Sequence, residues 1–207
     1  YQRRMKKMFV LIGTVLFLGA FTEKTDGNPF FTEYSTPYGV PPFDKITVDH
    51  FQPAYLKGIE EQRKEVDAII NRKAEPDFNN TIVALDQSGE LLRKVGAVFS
   101  NLNGANTSEE MQAVDKELSP LLSKHRDDIN LNPKLFAKVK AVYEKKDASG
   151  LNKEQAKLLE ETYKNFVRGG ANLIEADQAK LRDLNSRMAL LQLTFGQNML
   201  KETNAYK

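Results

Sequence analysis

An all-α chain of antiparallel helical hairpins is what this sequence predicts, and three observations carry the expectation. Apolar residues recur at three- and four-residue spacing in six segments. These segments carry start or stop signals, such as a capping polar residue, a first-turn proline or a closing glycine. Between Ile46 and Lys207 no run alternates apolar and polar residues as a half-buried strand does.

Two regions come before the helices. Arg3, Arg4, Lys6 and Lys7 precede an uncharged, mostly apolar run from Met8 to Phe21. A basic start before a short apolar stretch reads as a secretory signal peptide over residues 1–21, with Met5 the natural first residue. The run is shorter than the roughly 20 residues that span a bilayer. A buried core helix is the competing reading. Leu18-Gly19-Ala20-Phe21 is like a bacterial lipoprotein box with Phe21 where the acylated Cys belongs, so no lipid can be attached there. The expectation is export to the periplasm or cell envelope, the signal meeting the membrane only during export. Residues 22–45 are rich in Pro, Gly, Thr, Ser and Tyr and read as an extended leader. Residues 46–207 form the helical domain.

The first helix is expected over Asp49–Arg72. Asp49 caps it, Pro53 sits in its first turn, and Phe51, Tyr55, Ile59, Val66 and Ile70 share a face. The second is expected over Asn80–Asn103, with Ile82, Leu85, Leu92, Val95, Phe99 and Leu102 as its stripe. Gly89 and Gly96 interrupt it. They either admit a close neighbouring helix or merely weaken this one. The third opens at Thr107, with Glu110 at capping-box spacing. Its apolar face is Met111, Val114, Leu118, Leu121, His125 and Ile129, and Pro120 should kink it. The fourth opens at Asn132-Pro133 and presents Leu135, Phe136, Val139, Val142 and Tyr143. The fifth opens near Asn152, buries Leu158, Leu159, Tyr163, Phe166 and Val167, and ends at Gly169-Gly170 in a left-handed cap. The sixth runs Glu175–Glu202. Leu181, Leu184, Met188, Leu191 and Phe195 are spaced as the seam of a long antiparallel hairpin.

Composition narrows the chemistry. The chain has 207 residues, 41% hydrophobic and 28% charged, enough for a packed core. Its net charge of +2 comes from the first twenty residues. Without their four bases the balance is acidic, which argues against nucleic-acid binding. With no Cys, disulfides, thiolate nucleophiles and Cys-ligated metals are excluded. No Gly-rich phosphate loop or internal repeat occurs.

The two histidines, His50 and His125, complete no motif. A zinc hydrolase helix needs His-Glu-x-x-His, but Phe51 follows His50 and Arg126 follows His125. A carboxylate-bridged di-metal bundle needs Glu-x-x-His, but Thr47 and Leu122 stand at those positions. No Gly-x-Ser-x-Gly turn supports a serine triad, and Ser88-Gly89 falls within the second helix. His125 reads as a core histidine bonded to a carbonyl, and His50 as a partly exposed neighbour of a helix cap. Tyr163, Phe166 and Arg168 could line a groove, but the helical period explains the first two as core. The runs Glu60-Glu61-Gln62-Arg63-Lys64-Glu65 and Lys124-His125-Arg126-Asp127-Asp128 read as solvated faces. No catalytic, metal-binding or substrate-binding residue can be assigned within this chain.

The order of short motifs adds a resemblance. Asn28-Pro29-Phe30-Phe31 is followed by Pro42-Phe43-Asp44-Lys45-Ile46 and Asp49-His50-Phe51-Gln52-Pro53-Ala54-Tyr55. Phe78-Asn79-Asn80-Thr81-Ile82, Phe99-Ser100-Asn101-Leu102 and Leu121-Leu122-Ser123-Lys124-His125 come next. Phe166-Val167-Arg168-Gly169-Gly170-Ala171 and Phe195-Gly196-Gln197-Asn198-Met199-Leu200 close the series. From about Asn28 to Lys207 this resembles the amino-terminal region of the thimet oligopeptidase-like zinc metallopeptidases, and their bacterial peptidyl-dipeptidase branch in particular.

The resemblance implies that this helical part walls a deep channel admitting short peptides. It implies that zinc, its ligands and the proton-transferring Glu belong to a carboxy-terminal half beyond this chain. That half would be the chain's partner, and dipeptides would be released from the carboxyl end of substrates. The expectation is a truncated, inactive portion that binds no zinc itself. The alternative is a stand-alone helical module that binds a peptide or protein without catalysis.

Overall fold

A computed structural model describes residues 27–206, and the expected signal peptide lies outside them. Among the described residues all regular structure is helical. The main helices are α1 (Phe51–Asn71), α2 (Ala84–Gln87), α3 (Glu90–Ala105), α4 (Glu109–Asn130), α5 (Pro133–Glu144), α6 (Lys153–Arg168) and α7 (Glu175–Ala205). A π-helical segment, Phe78–Val83, leads directly into α2. None of these helices is long and apolar enough to cross a membrane.

α1 is the axis of the domain. It lies antiparallel to α3 and parallel to α4, and its carboxy-terminal half meets the π segment and α5. Two apolar clusters share it. One gathers Phe30, Phe51, Ala54, Tyr55, Val95, Val98, Phe99, Met111 and Leu118. The other gathers Val66, Ile69, Phe78, Ile82, Leu135, Phe136, Val139, Val142, Leu159 and Phe166. Each fully buried side chain of this size contributes about 1.5–3 kcal/mol. In the first cluster Phe99 meets Phe51 edge-on at 5.0 Å and Tyr55 at 5.7 Å. In the second, Phe136 stacks on Tyr163 and Phe166 at 5.9 and 6.0 Å, and Tyr163 stacks on Tyr143. Phe166 is therefore core, as the period of α6 implied, and the half-buried Tyr163 packs against it.

Part of the leader belongs to the core. Asn28 is buried, accepts the amide of Phe30 and donates to the carbonyl of His50. Phe30 is inserted against Phe51 at 5.3 Å. Lys94 holds the strap from outside, donating to the carbonyls of Phe30 and Thr32 while its ammonium sits 3.9 Å from the Tyr34 ring centre.

Helix ends depart from expectation at several places. Asp49 does not cap α1. A short 3₁₀ turn, Val48–His50, precedes that helix, and the His50 ring accepts the Thr47 amide at 3.0 Å. The continuous second helix is broken at Ser88-Gly89. Ser88 is extended, and Gly89 takes φ 74°, a left-handed conformation open to glycine at no steric cost. The amide of Gly89 donates to Glu65 at 2.6 Å, so α1 anchors the break. The close approach of α1 and α3 is made by Gly58, whose added Cβ would stand 3.0 Å from the Leu92 backbone. At Gly96 a Cβ would make only an ordinary contact.

The cap of α4 is Ser108, which accepts the Met111 amide, while Thr107 turns back to Asn103. The helix runs on through Pro120. That ring has no N–H for the Lys116 carbonyl one turn earlier. Leu121, expected on the apolar face, is exposed. Asn132 and Asn152 cap α5 and α6 as anticipated. After α6 the amides of Gly170 and Ala171 return to Val167 and Phe166, with Gly170 at φ 96°, the bonding of a Schellman cap.

The largest departure is α7. It does run antiparallel to α4, but through its polar side. Asn185 meets Asp127 and Arg182 meets Asp128. The half-buried residues are Asp177, Gln178, Leu181, Arg182, Asn185, Ser186, Ala189, Leu193 and Gln197. Leu181 packs over Gly170. The other members of the expected seam, Leu184, Met188, Leu191 and Phe195, are 53–66% exposed. The facing surface of α4 carries Asp115, Ser119, Ser123 and Asp127, which match small and amide side chains rather than an apolar stripe.

Candidate functional site

α4 and α7 diverge enough to leave a groove along their seam. Its wider part holds about 440 Å³ and is lined by Asp115, Ser119, Ser123, Arg126, Asn130, Asn185 and Gln192, among others. A narrower part of about 260 Å³ continues past Asp115 and Gln192 to Asn103, Gln197 and Leu200. The lining is mainly carboxylates, amides, hydroxyls and one guanidinium, with Leu122, Met188, Ala189, Leu193 and Leu200 as its apolar members. Such groups can both donate to and accept from an extended peptide backbone.

The ends of the groove are set by specific bonds. Asp127 is 5% exposed and accepts the Asn185 amide at 2.8 Å. Its neighbour Asp128 accepts from Lys124 and from Arg182, at 2.6 and 2.9 Å. These bases hold the Asp128 carboxyl below its ordinary range, against the opposing effect of burial. At the junction of the two parts, Asn103 donates to Asp115 at 3.1 Å. Burial still pushes the Asp115 carboxyl up. Burial, and then the Asp115 charge, raise the Tyr55 hydroxyl. Asp115 in the groove is thus biased toward its neutral form, while Asp128, beside the groove, is kept ionised by its two bases.

Neither histidine joins it. His125 is 4% exposed, and its Nε2 lies 2.8 Å from the Gln62 side-chain oxygen on α1. Its Nδ1 is buried without a partner, so neutral imidazole with the proton on Nε2 fits the site. Burial, then the Arg63 charge, lower its pKa. Gln62 also donates to Ser88 at 3.3 Å, linking His125 to the break before α3. His50 is engaged at the start of α1. Among the described residues no group of His, Asp and Glu is clustered as metal ligands are. The residues present do not fit a zinc centre.

The sequence reading missed the groove because it took Lys124–Asp128 for a solvated face. Asp127 and His125 point inward from that run, to different neighbours. In the first charged run Gln62 is half-buried against His125, and the exposed Glu65 bonds the Gly89 amide. The available signal was the four-residue step Asp115, Ser119, Ser123, Asp127, a polar stripe as regular as an apolar one.

No protein-family model matches the chain. Dipeptidyl carboxypeptidase of Escherichia coli (strain K12) is 43% identical over 176 residues, 85% of this chain and 26% of that protein. The protein of the same name from Salmonella typhimurium is 40% identical over 178 residues, 86% of this chain and 26% of its own length. Oligopeptidase A of Escherichia coli is 24% identical over 168 residues, 81% of this chain and 25% of that protein. The chain therefore spans about a quarter of the length of the curated relatives it matches. With 43% identity over 85% of its length, the chain belongs to the dipeptidyl carboxypeptidase and oligopeptidase A family, as a match to its amino-terminal quarter.

Proposed function

We propose that this chain is the substrate-channel-forming helical part of a zinc metallopeptidase that hydrolyses short peptides and releases dipeptides from their carboxyl ends. The observation that carries the reading is the 43% identity to dipeptidyl carboxypeptidase along most of the chain. The polar α4–α7 groove supports it, since a channel wall needs groups that bind peptide backbone without reading one side chain. Zinc and its ligands belong, in this reading, to the three quarters of the relatives outside the match. This chain's share is to bind and orient peptide. Export to the periplasm or cell envelope is part of the proposal and rests on residues 1–21.

The test is a fusion of this chain to the remaining three quarters of the Escherichia coli dipeptidyl carboxypeptidase. Chelator-sensitive release of a carboxyl-terminal dipeptide from a blocked tetrapeptide is the expected result, with none from this chain alone. A folded fusion that leaves the peptide intact would sink the reading. The groove also favours a second one, a peptide-binding module without catalysis. That reading requires saturable peptide binding by this chain alone, weakened by Arg126→Ala.

A further inference from the structure

α7 has a second face that nothing in the described chain covers. Leu184, Met188, Leu191, Phe195 and Met199 step along it at intervals of three and four residues and are 53–66% exposed. Leu190 and Leu200 flank the row at 39% each, and Met188 and Leu200 also border the α4–α7 groove at the edge of this face. Five large apolar side chains in line make a contiguous stripe, and monomeric proteins seldom leave such stripes in water. The opposite face of α7 is already used, bonded to α4 through Asn185 and Arg182. Nor does α7 rotate to hide the row, because Asp127 and Asp128 hold its polar side inward.

The apolar row Phe51, Tyr55, Ile59 and Val66 of α1 is buried, so the pattern on α7 is that of a core helix lacking one layer. The relatives carry about three quarters of their length outside the matched stretch. That is ample chain to supply the layer.

We infer that the Leu184–Met199 stripe is the docking face for the carboxy-terminal polypeptide that makes up the rest of the relatives' length. α7 is then a two-faced helix, sealed by polar bonds on α4 and by apolar packing on the catalytic part. The inference rests on the proposed function for the identity of that polypeptide. It makes the groove floor and the catalytic part meet across a single helix, so a change on the stripe is felt in the groove.

Native methionines provide the probe. Met188 and Met199 lie on the stripe, while Met111 is 5% exposed in the core. Peroxide oxidation followed by mass spectrometry compares this chain alone with the fusion described above. Met188 and Met199 should oxidise readily in the chain alone and at least tenfold more slowly in the fusion, with Met111 slow in both. Leu191→Glu with Phe195→Glu should restore Met199 reactivity in the fusion. The same pair should leave the unfolding midpoint of the chain alone unchanged.

Equal methionine reactivity in the two proteins overturns the inference. So does a fusion whose two parts unfold separately with both methionines reactive. Protection already present in this chain alone, together with a dimer mass that the double variant abolishes, assigns the stripe to a second copy instead. Peptide cleavage is scored separately. Protection without cleavage sinks the proposed function and leaves the docking face, whereas cleavage without protection does the reverse.

Discussion

α1 and α7 are both long helices whose apolar residues recur at helical spacing, with Gln62 interrupting the row of α1. In α1 the row Phe51, Tyr55, Ile59, Val66 is 8% exposed or less, pressed between α3, α4 and α5. In α7 the row from Leu184 to Phe195 stands in solvent, and the helix is held by amides and carboxylates on its other side. Periodicity fixes that a stripe exists and which residues share it. It carries no information about which neighbour arrives. The neighbour is chosen by the complementary surface, and α4 offers α7 a polar one.

Four comparisons probe this contrast. The largest effect is expected from Phe51→Ala, which empties the contact among Phe30, Phe51 and Phe99. It should cost about 3–5 kcal/mol in urea unfolding, whereas Leu191→Ala should stay within about 0.5 kcal/mol of wild type. Equal losses would mean that α7 is buried in solution. Next is Asn185→Ala, which leaves the buried Asp127 carboxylate without its donor. A loss of about 1–3 kcal/mol is expected in thermal unfolding. A neutral result would show that α7 is not fastened through that bond.

Glycines give a smaller and opposite pair. Gly58→Val forces atoms into the Leu92 backbone and should destabilise by about 1–3 kcal/mol. Gly196→Ala meets nothing within 4 Å and should stabilise α7 by about 0.5–1 kcal/mol. The smallest effect is pH dependence from His125. Burial and Arg63 lower its pKa in the folded protein below the ordinary 6.5, partly offset by Asp128. The unfolded chain then binds more protons just below pH 6.5. Stability from this group is complete above pH 6.5 and is lost as pH falls through the folded value. His125→Gln should flatten the melting-temperature profile there, and an unchanged profile would remove His125 as its source.

Much of the architecture was readable because it depends on local chemistry. Asn132-Pro133, Asn152 with Gln155, and Gly169-Gly170 satisfy backbone groups within a few residues of themselves, so their positions mark helix ends directly. The break at Ser88-Gly89 was not readable in the same way. Its geometry depends on Glu65 and Gln62, more than twenty residues earlier, which anchor a glycine that a propensity argument only calls weak. The groove was hidden for a related reason. Asp127 and His125 are nearly adjacent, yet one turns to α7 and the other to α1, and charge patterning cannot tell a solvated run from one clamped between helices.

The sequence by itself determined the helical class, five of the six apolar stripes that build the core, and the kinship with dipeptidyl carboxypeptidase. These follow from residue spacing, capping chemistry and motif order, which need no knowledge of what lies across a contact. Tertiary structure alone decided that the leader strap at Asn28 and Phe30 is part of the core. It also decided that Gly58, rather than Gly96, admits the neighbouring helix, and that α7 turns its polar face inward and its apolar face out. Each of these is a choice between partners distant in the chain. Such choices are made by shape and hydrogen-bond complementarity between surfaces that exist only once the helices have formed.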